Sequence, residues 1–170
     1  NPKVSGIAVS LLYLPWFIKP LWGPIVDILK TKKWWAMWMQ IVVGIGFVAT
    51  ALLVPMGGAE SGKIFAYTLI PFILIALSAA TYDVASDGMY MINLNSNQQS
   101  IWVGLRSTAF RVGWLLVDGG MLWLVGYVAG ASATPLSPSM LWAWQVTFYV
   151  LAAITFVTAA YNFWAFPQDY

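Results

Sequence analysis

The sequence predicts an all-α protein, a polytopic bundle of transmembrane helices. Its 170 residues are 61% hydrophobic and only 8% charged, whereas a soluble domain is about half apolar and about a quarter charged. The mean hydropathy is +0.76. Aromatic residues make up 16% of the chain and include 11 Trp, which is typical of side chains that anchor a protein at the two membrane–water interfaces. These values indicate several long segments that lie in lipid.

Five apolar segments are long enough to cross a bilayer as helices, which takes about 20 residues each. They form a single domain, and the predicted spans are approximately 4–29, 35–56, 64–89, 103–128 and 140–166. The segments between them are a lysine hairpin at 30–33, the turn-forming run Pro55–Gly58, the polar run Asn93–Ser100 and the run Ala129–Ser139. The spans are predicted to be helices because an open strand would leave backbone groups unpaired in lipid.

Basic residues are unevenly distributed between the two sides of this predicted bundle. One side holds Lys30, Lys32, Lys33 and Arg106, and the other holds Lys3 and Lys63. Because short cytoplasmic loops carry the excess of Lys and Arg, the lysine hairpin and the run Asn93–Ser100 are predicted to face the cytoplasm.

The composition also limits the chemistry that the chain can perform. It contains neither Cys nor His, so it has no disulfide or thiolate metal site and lacks the commonest metal ligand and general base. The net charge of +2 is too small to indicate binding to nucleic acid. We therefore expect no metal site, no cofactor, no nucleic-acid partner and no enzymatic activity.

Lys19 is an ionisable side chain inside the first predicted span. A charge at the centre of a bilayer costs about 2.5–3.5 kcal/mol, so it needs an ionic partner or a wet cavity. Lys19 lies eight residues before Asp27, about 12 Å along a helix, and this distance favours a deep position. Alternatively, its amino group snorkels to an interface. Pro20 and Pro24 predict a kink in the same helix.

Asp83 and Asp87 are spaced four residues apart and therefore share one face of the third predicted span. Two carboxylates at so short a distance resist simultaneous ionisation, which would suit a proton-coupled step or a bound cation. Alternatively, both lie at a helix end in interfacial water, since the polar run begins six residues after Asp87.

Arg111 and Asp118 are two further charges within a span, seven residues apart on one face of the fourth predicted helix. Asp118 lies in the middle of that span. The same helix is rich in small residues that permit close packing, namely Gly113, Gly119, Gly120 and the G-x-x-x-G pair Gly126 and Gly130. Such glycines indicate packing more often than function.

Three motifs resemble one branch of the major facilitator superfamily, that of the muropeptide permeases and acetyl-CoA transporters. The run from Leu14 to Asp27 (LPWFIKPLWGPIVD) is similar to the second helix of that branch, which reads approximately L-P-aromatic-x-x-K-x-x-W-x-P-x-x-D. Thr81–Asp87 resembles the paired aspartates that end its fourth helix, and Leu105–Gly113 resembles the start of its fifth helix. The resemblance covers the whole chain in order.

The resemblance implies helices two to six of a twelve-helix transporter, part of its N-terminal half, in a bacterial inner membrane. It implies the import of an amphipathic solute, such as a muropeptide or sugar-peptide, coupled to protons and driven by alternating access. The expected partners are this small-molecule substrate, protons, the lipid bilayer and the remaining helices of a longer protein.

The charged residues receive predicted roles in this scheme. The predicted substrate-binding residues are Lys19 and Arg111, the proton-coupling residues are Asp83, Asp87 and Asp118, and the cytoplasmic gate consists of Asp27, Lys32 and Lys33. An alternative is a non-transporting membrane scaffold or receptor subunit in which the buried charges pair statically.

Overall fold

The structure, a computed structural model, describes residues 2–58 and 60–167, with side chains described from residue 6 onward. The side chain of Lys3, which enters the charge asymmetry above, lies outside this description. The helices are α1 (Pro2–Phe17), α2 (Lys19–Leu29), α3 (Lys32–Leu53), a 3-10 turn (Pro55–Gly57), α4 (Ser61–Asn93), α5 (Ser96–Ala129) and α6 (Pro138–Ala165). By length and hydropathy, the last four α-helices can each cross a membrane, and α1 with α2 makes a fifth crossing if the bent pair is one span. The chain is an all-α transmembrane bundle.

The first predicted span is divided into two helices at Ile18. The axes of α1 and α2 differ in direction by 47°. Pro20 is the second residue of α2, and a proline ring clashes with the carbonyl four residues before it, so a continuous helix is disfavoured there. Lys19, which directly precedes this proline, is consequently the first residue of a helix that starts within the span.

The connection between α4 and α5 consists only of Leu94 and Asn95. The Asn95 side chain accepts a hydrogen bond from the Gln98 backbone N–H at 2.9 Å, and the Gln98 side chain accepts one from the Asn95 N–H at 3.1 Å. This reciprocal capping box starts α5 inside the polar run. The prediction of a loop from Asn93 to Ser100 is therefore wrong, because the polar residues cap and form the first turns of a helix.

α3 is the central helix and packs against both α4 and α6. Gly44 allows close contact with α6, since a Cβ at that position would lie 2.7 Å from Phe156 Cε1. Hydrogen bonds add to this interface, where Gln40 donates to Thr158 at 2.9 Å and accepts from Asn162 at 3.0 Å. Small residues and interhelical hydrogen bonds are what holds membrane helices together in lipid.

α5 packs against α6, where Val125 and Ala129 lie against Ala143. Close contact is not observed at the five glycines that were predicted to permit close packing, because a Cβ on any of them would meet nothing within 4 Å in the described chain; these are Gly113, Gly119, Gly120 and Gly126 in α5 and Gly130 directly after it. Among the described residues, the close-packing glycines lie instead in α3, the 3-10 turn and α4.

One end of the bundle brings together the ends of five helices, α2 to α6, and we call it the hairpin end. α3 begins there at Lys32, and its 22 residues rise about 33 Å, which matches a hydrocarbon core of about 30 Å. Lys33 Nζ donates to the carbonyl of Phe166, the C-terminal capping residue of α6, at 2.8 Å. A cation at the C-terminus of a helix is favoured by the helix dipole, so this bond holds α6 to α3 at the membrane boundary.

The order of the helices predicts which residues lie on opposite sides of the membrane. Single cysteines at Leu29 and Ser132, both exposed and in a chain with no cysteine of its own, are expected to react from opposite sides, with position 29 cytoplasmic. Thr31 is less suitable because it caps α3 by accepting from the Trp34 N–H. An impermeant maleimide applied to oriented vesicles measures this, and reaction of both cysteines from one side would contradict the topology.

Candidate functional site

Lys19 binds the two aspartates of α4. Its Nζ donates to Asp83 Oδ2 at 2.6 Å and to Asp87 Oδ2 at 3.1 Å. The Lys19 side chain is 23% exposed and each aspartate side chain is 28% exposed. The i, i+4 spacing predicted from the sequence is what allows one ammonium group to bridge both carboxylates.

Arg106 of α5 binds the same two aspartates from the other side. Its Nη2 donates to Asp83 Oδ1 and its Nη1 donates to Asp87 Oδ1. Arg106 lies ten residues after the start of α5, and Asp83 lies ten residues before the end of α4. Two antiparallel helices joined by a tight turn place such positions at the same height. Arg106 was not predicted as a site residue, because the preceding run Asn93–Ser100 was assigned to a loop and the arginine was counted among the basic charges of that side.

Lys19, Asp83, Asp87 and Arg106 form what we call the charge cluster. Two cations face two carboxylates, and each of the four carboxylate oxygens accepts a hydrogen bond from one of the two cations. The formal charge of the cluster is therefore zero. Because charge-assisted bonds of this kind are strong in a partly dry site, a change in charge on one member redistributes the bonds of the other three.

The charge cluster lies near the hairpin end rather than at mid-span. Gly88 lies against Lys32, the first residue of α3, and Asp83 is five residues deeper in α4, about 8 Å by helical rise. Because Lys19 Nζ lies 2.6 Å from Asp83, its amino group shares that level. The amino group thus lies about 8 Å from the start of α3 along the bundle, whereas counting along a straight helix predicted about 12 Å from Asp27.

A cavity of about 590 Å³ lies between α4 and α5 beside the charge cluster. Its polar lining consists of Asp83, Ser86, Asp87, Asn93 and Arg106, and its aromatic lining consists of Tyr82, Tyr90, Trp102, Phe110 and Phe166. Asn93, Leu94 and Phe166 stand at helix ends, so the cavity extends from the cluster to the hairpin end. A site with one charged wall and several aromatic walls suits an amphipathic ligand.

The three predicted gating residues form two separate contacts at the hairpin end. Lys32 Nζ donates to Asp27 Oδ1 at 2.5 Å, and the side chains are 16% and 59% exposed, respectively. Lys33 binds the Phe166 carbonyl, as described above, and its Nζ lies 6.0 Å from the centre of the Phe163 ring, within the range of a cation–π interaction. These contacts connect α2 to α3 and α3 to α6.

Arg111 and Asp118 stand apart from the charge cluster. Both are exposed on α5, and within the described residues neither makes an ion pair. Asp118 borders a notch of about 370 Å³ with Phe110, Gly113, Trp114 and Val117. Their predicted roles in substrate binding and proton coupling remain predictions. No group of three or more acidic side chains that could hold a metal ion occurs among residues 2–58 and 60–167.

The chain is similar to proteins named as transporters. It is 24% identical over 166 residues to "Putative transporter AmpG 4" of Rickettsia conorii, and the match covers 92% of this chain and 37% of that protein. The protein of the same name in Rickettsia felis is 24% identical over 169 residues, covering 89% of this chain and 36% of its own length. The chain thus spans little more than a third of the length of these curated relatives. No family model and no solved structure matches it.

Proposed function

We propose that the chain is part of a secondary active transporter that imports an amphipathic solute, such as a muropeptide or sugar-peptide, together with protons across a bacterial inner membrane. The observation that carries the proposal is the charge cluster on the wall of a cavity that extends to the hairpin end. The similarity to named transporters supports the class. The resemblance of the first span to muropeptide permeases supports the solute and the place of this chain in an N-terminal half.

In the proposed binding step, the solute and the proton arrive as a pair. Arg106 is 48% exposed and lines the cavity, so an anionic group of the solute meets it first. A proton added to Asp83 or Asp87 removes one negative charge and leaves the cluster with a charge of +1. The positive cluster attracts the anionic solute. The guanidinium released from the protonated aspartate can then bind a carboxylate of the solute instead. Lys19 holds the remaining carboxylate during the exchange.

In the proposed conformational step, the contacts at the hairpin end act as a gate. The pair of Asp27 with Lys32 and the bond from Lys33 to Phe166 connect three helices at the predicted cytoplasmic side. Contacts that exist in only one access state bias the equilibrium towards that state. Movement of α2 or α6 relative to α3 would then break and reform them, and it would accompany the rocking of the two halves of the transporter.

The alternative function is a membrane scaffold or receptor subunit that transports nothing. Complete pairing of the four carboxylate oxygens favours it, since a neutral cluster can serve as a static connection among α2, α4 and α5. The exposure of Arg106 to the cavity favours transport, because a charged side chain that lines a cavity can bind a ligand there.

Uptake by the intact protein in proteoliposomes distinguishes these functions. We expect an anionic sugar-peptide to accumulate inside when an inward proton gradient is imposed, and a protonophore should abolish the accumulation. Protein-free vesicles give the background. Uptake at the same rate with and without the proton gradient would contradict proton coupling. A folded protein that accumulates no such solute would support the scaffold function.

A further inference from the structure

Lys32 is an unusual residue with which to start a helix. It is the first residue of α3, and a cation there is repelled by the positive end of the helix dipole. Yet the Lys32 side chain is only 16% exposed, so most of it is covered by protein. The position of its alkyl chain explains this burial.

The alkyl chain of Lys32 lies directly on the backbone of Gly88 in α4. A Cβ at residue 88 would lie 2.7 Å from Lys32 Cδ and closer still to Cε, so the flexible lysine side chain would have to move away from this position. The missing side chain of Gly88 is therefore what allows the alkyl chain to lie there. From that position the Lys32 ammonium group reaches Asp27 at 2.5 Å.

The same turn of α4 carries both Gly88 and a member of the charge cluster. Asp87 directly precedes Gly88 and binds Lys19 and Arg106. On the adjacent face, Ala85 and Met89 pack with Val26 of α2 and Ala36 of α3. The contact between Gly88 and Lys32 thus adjoins the buried cluster that connects α2, α3 and α4.

We propose that Gly88 is the positioning residue of the gate. Because Gly88 has no side chain, Lys32 can lie on the backbone of α4 while its ammonium group pairs with Asp27. The gate closes when this turn of α4 lies against the start of α3. A shift of α4 that follows solute or proton binding at Asp87 moves Gly88 away from Lys32 and opens the pair. The consequence for transport rests on the proposed function, whereas the contact between Gly88 and Lys32 does not.

The test uses the intact protein with a cysteine in place of Val26, a residue of α2. Val26 is 2% exposed and packs in a cluster with Ala36 of α3 and Ala85 of α4. We expect Gly88→Ala to speed the reaction of this cysteine with a maleimide applied from the hairpin end by about fivefold or more, because the displaced lysine no longer holds the end of α2. Lys32→Ala and Asp27→Asn should have similar effects. Gly104→Ala is the matched control, since a Cβ there meets nothing within 4 Å, and it should react like the parent.

The double variant Gly88→Ala/Lys32→Ala shows whether Gly88→Ala speeds labelling by displacing Lys32. If the alanine acts by displacing the lysine, then adding it to Lys32→Ala changes the labelling rate no further. If Gly88→Ala alone fails to accumulate in the membrane, the double variant should restore it, since the clash is gone. Parent-like labelling of Gly88→Ala, or an equally large effect of Gly88→Ala when Lys32 is absent, would overturn the proposal. None of these readouts requires transport, so they stand apart from the test of the proposed function.

Discussion

Replacement of Lys19 by methionine is expected to abolish uptake while the protein still inserts into the membrane. The variant leaves two carboxylates and one guanidinium, so the cluster changes from neutral to a charge of −1. Breaking a buried ion pair costs roughly 3–5 kcal/mol, and partial exposure of this one reduces the expected loss of stability to roughly 2 kcal/mol. If the loss of the bonds by which Lys19 holds the two aspartates raises the barrier by about 3 kcal/mol, uptake slows about a hundredfold.

A charge-matched variant separates stability from transport in this experiment. Lys19→Met/Asp87→Asn restores a neutral cluster and should recover most of the thermal stability of the detergent-solubilised protein. It should not recover uptake, because Lys19 and one of the two proposed proton sites are gone. Uptake at the parental rate by Lys19→Met itself would show that the amino group takes no part in transport. Normal function of the neutral double variant would instead favour static pairing.

Substitution of Arg106 by glutamine is expected to have a far larger effect on uptake than the same substitution at Arg111. The two arginines are five residues apart on α5 and differ in surroundings. Arg106 binds Asp83 and Asp87 and lines the cavity, whereas Arg111 makes no ion pair in the described part of the chain. We expect uptake to fall about tenfold or more with Arg106→Gln, since a charged hydrogen bond contributes about 1.5–3 kcal/mol.

The two arginine variants also show which arginine binds the anionic group of the solute, the one assigned from the sequence or the one that lines the cavity. The sequence assigned the anion to Lys19 and Arg111, whereas the cavity is lined by Arg106 and by neither of those two residues. Initial rates of uptake over a range of solute concentrations measure this, with both variants brought to equal amounts in the membrane. A large loss with Arg111→Gln and none with Arg106→Gln would restore the original assignment.

The fold class could be predicted because lipid imposes a simple rule on the sequence, namely long apolar helices with few charges. The same rule drew attention to Lys19, Asp83 and Asp87, since a charge in an apolar run is conspicuous. The start of α5 was missed because the polar run was judged by its hydropathy. Its capping box, Asn95 with Gln98, was visible in the sequence and indicates a helix start.

Other features depend on how the helices are placed and could not be predicted from one sequence. Gly88 resembles any other glycine in the chain, and only the position of Lys32 distinguishes it. The glycines of α5 made a stronger pattern, yet nothing lies within 4 Å of a Cβ built on them in the described residues. A small residue permits a close approach but does not specify which neighbour approaches, so spacing alone is a weak predictor of contact.

The zero formal charge of the cluster has an electrical consequence. Moving one elementary charge through a membrane potential of 100 mV changes the free energy by about 2.3 kcal/mol. Four groups whose charges sum to zero add nothing to that term when they move together. A proton and a singly charged anion that enter as a pair leave the sum unchanged. Under the proposed coupling, the resting voltage of the cell would therefore favour neither the loaded nor the empty carrier through this cluster, and the chemical gradient of protons would drive accumulation of the solute.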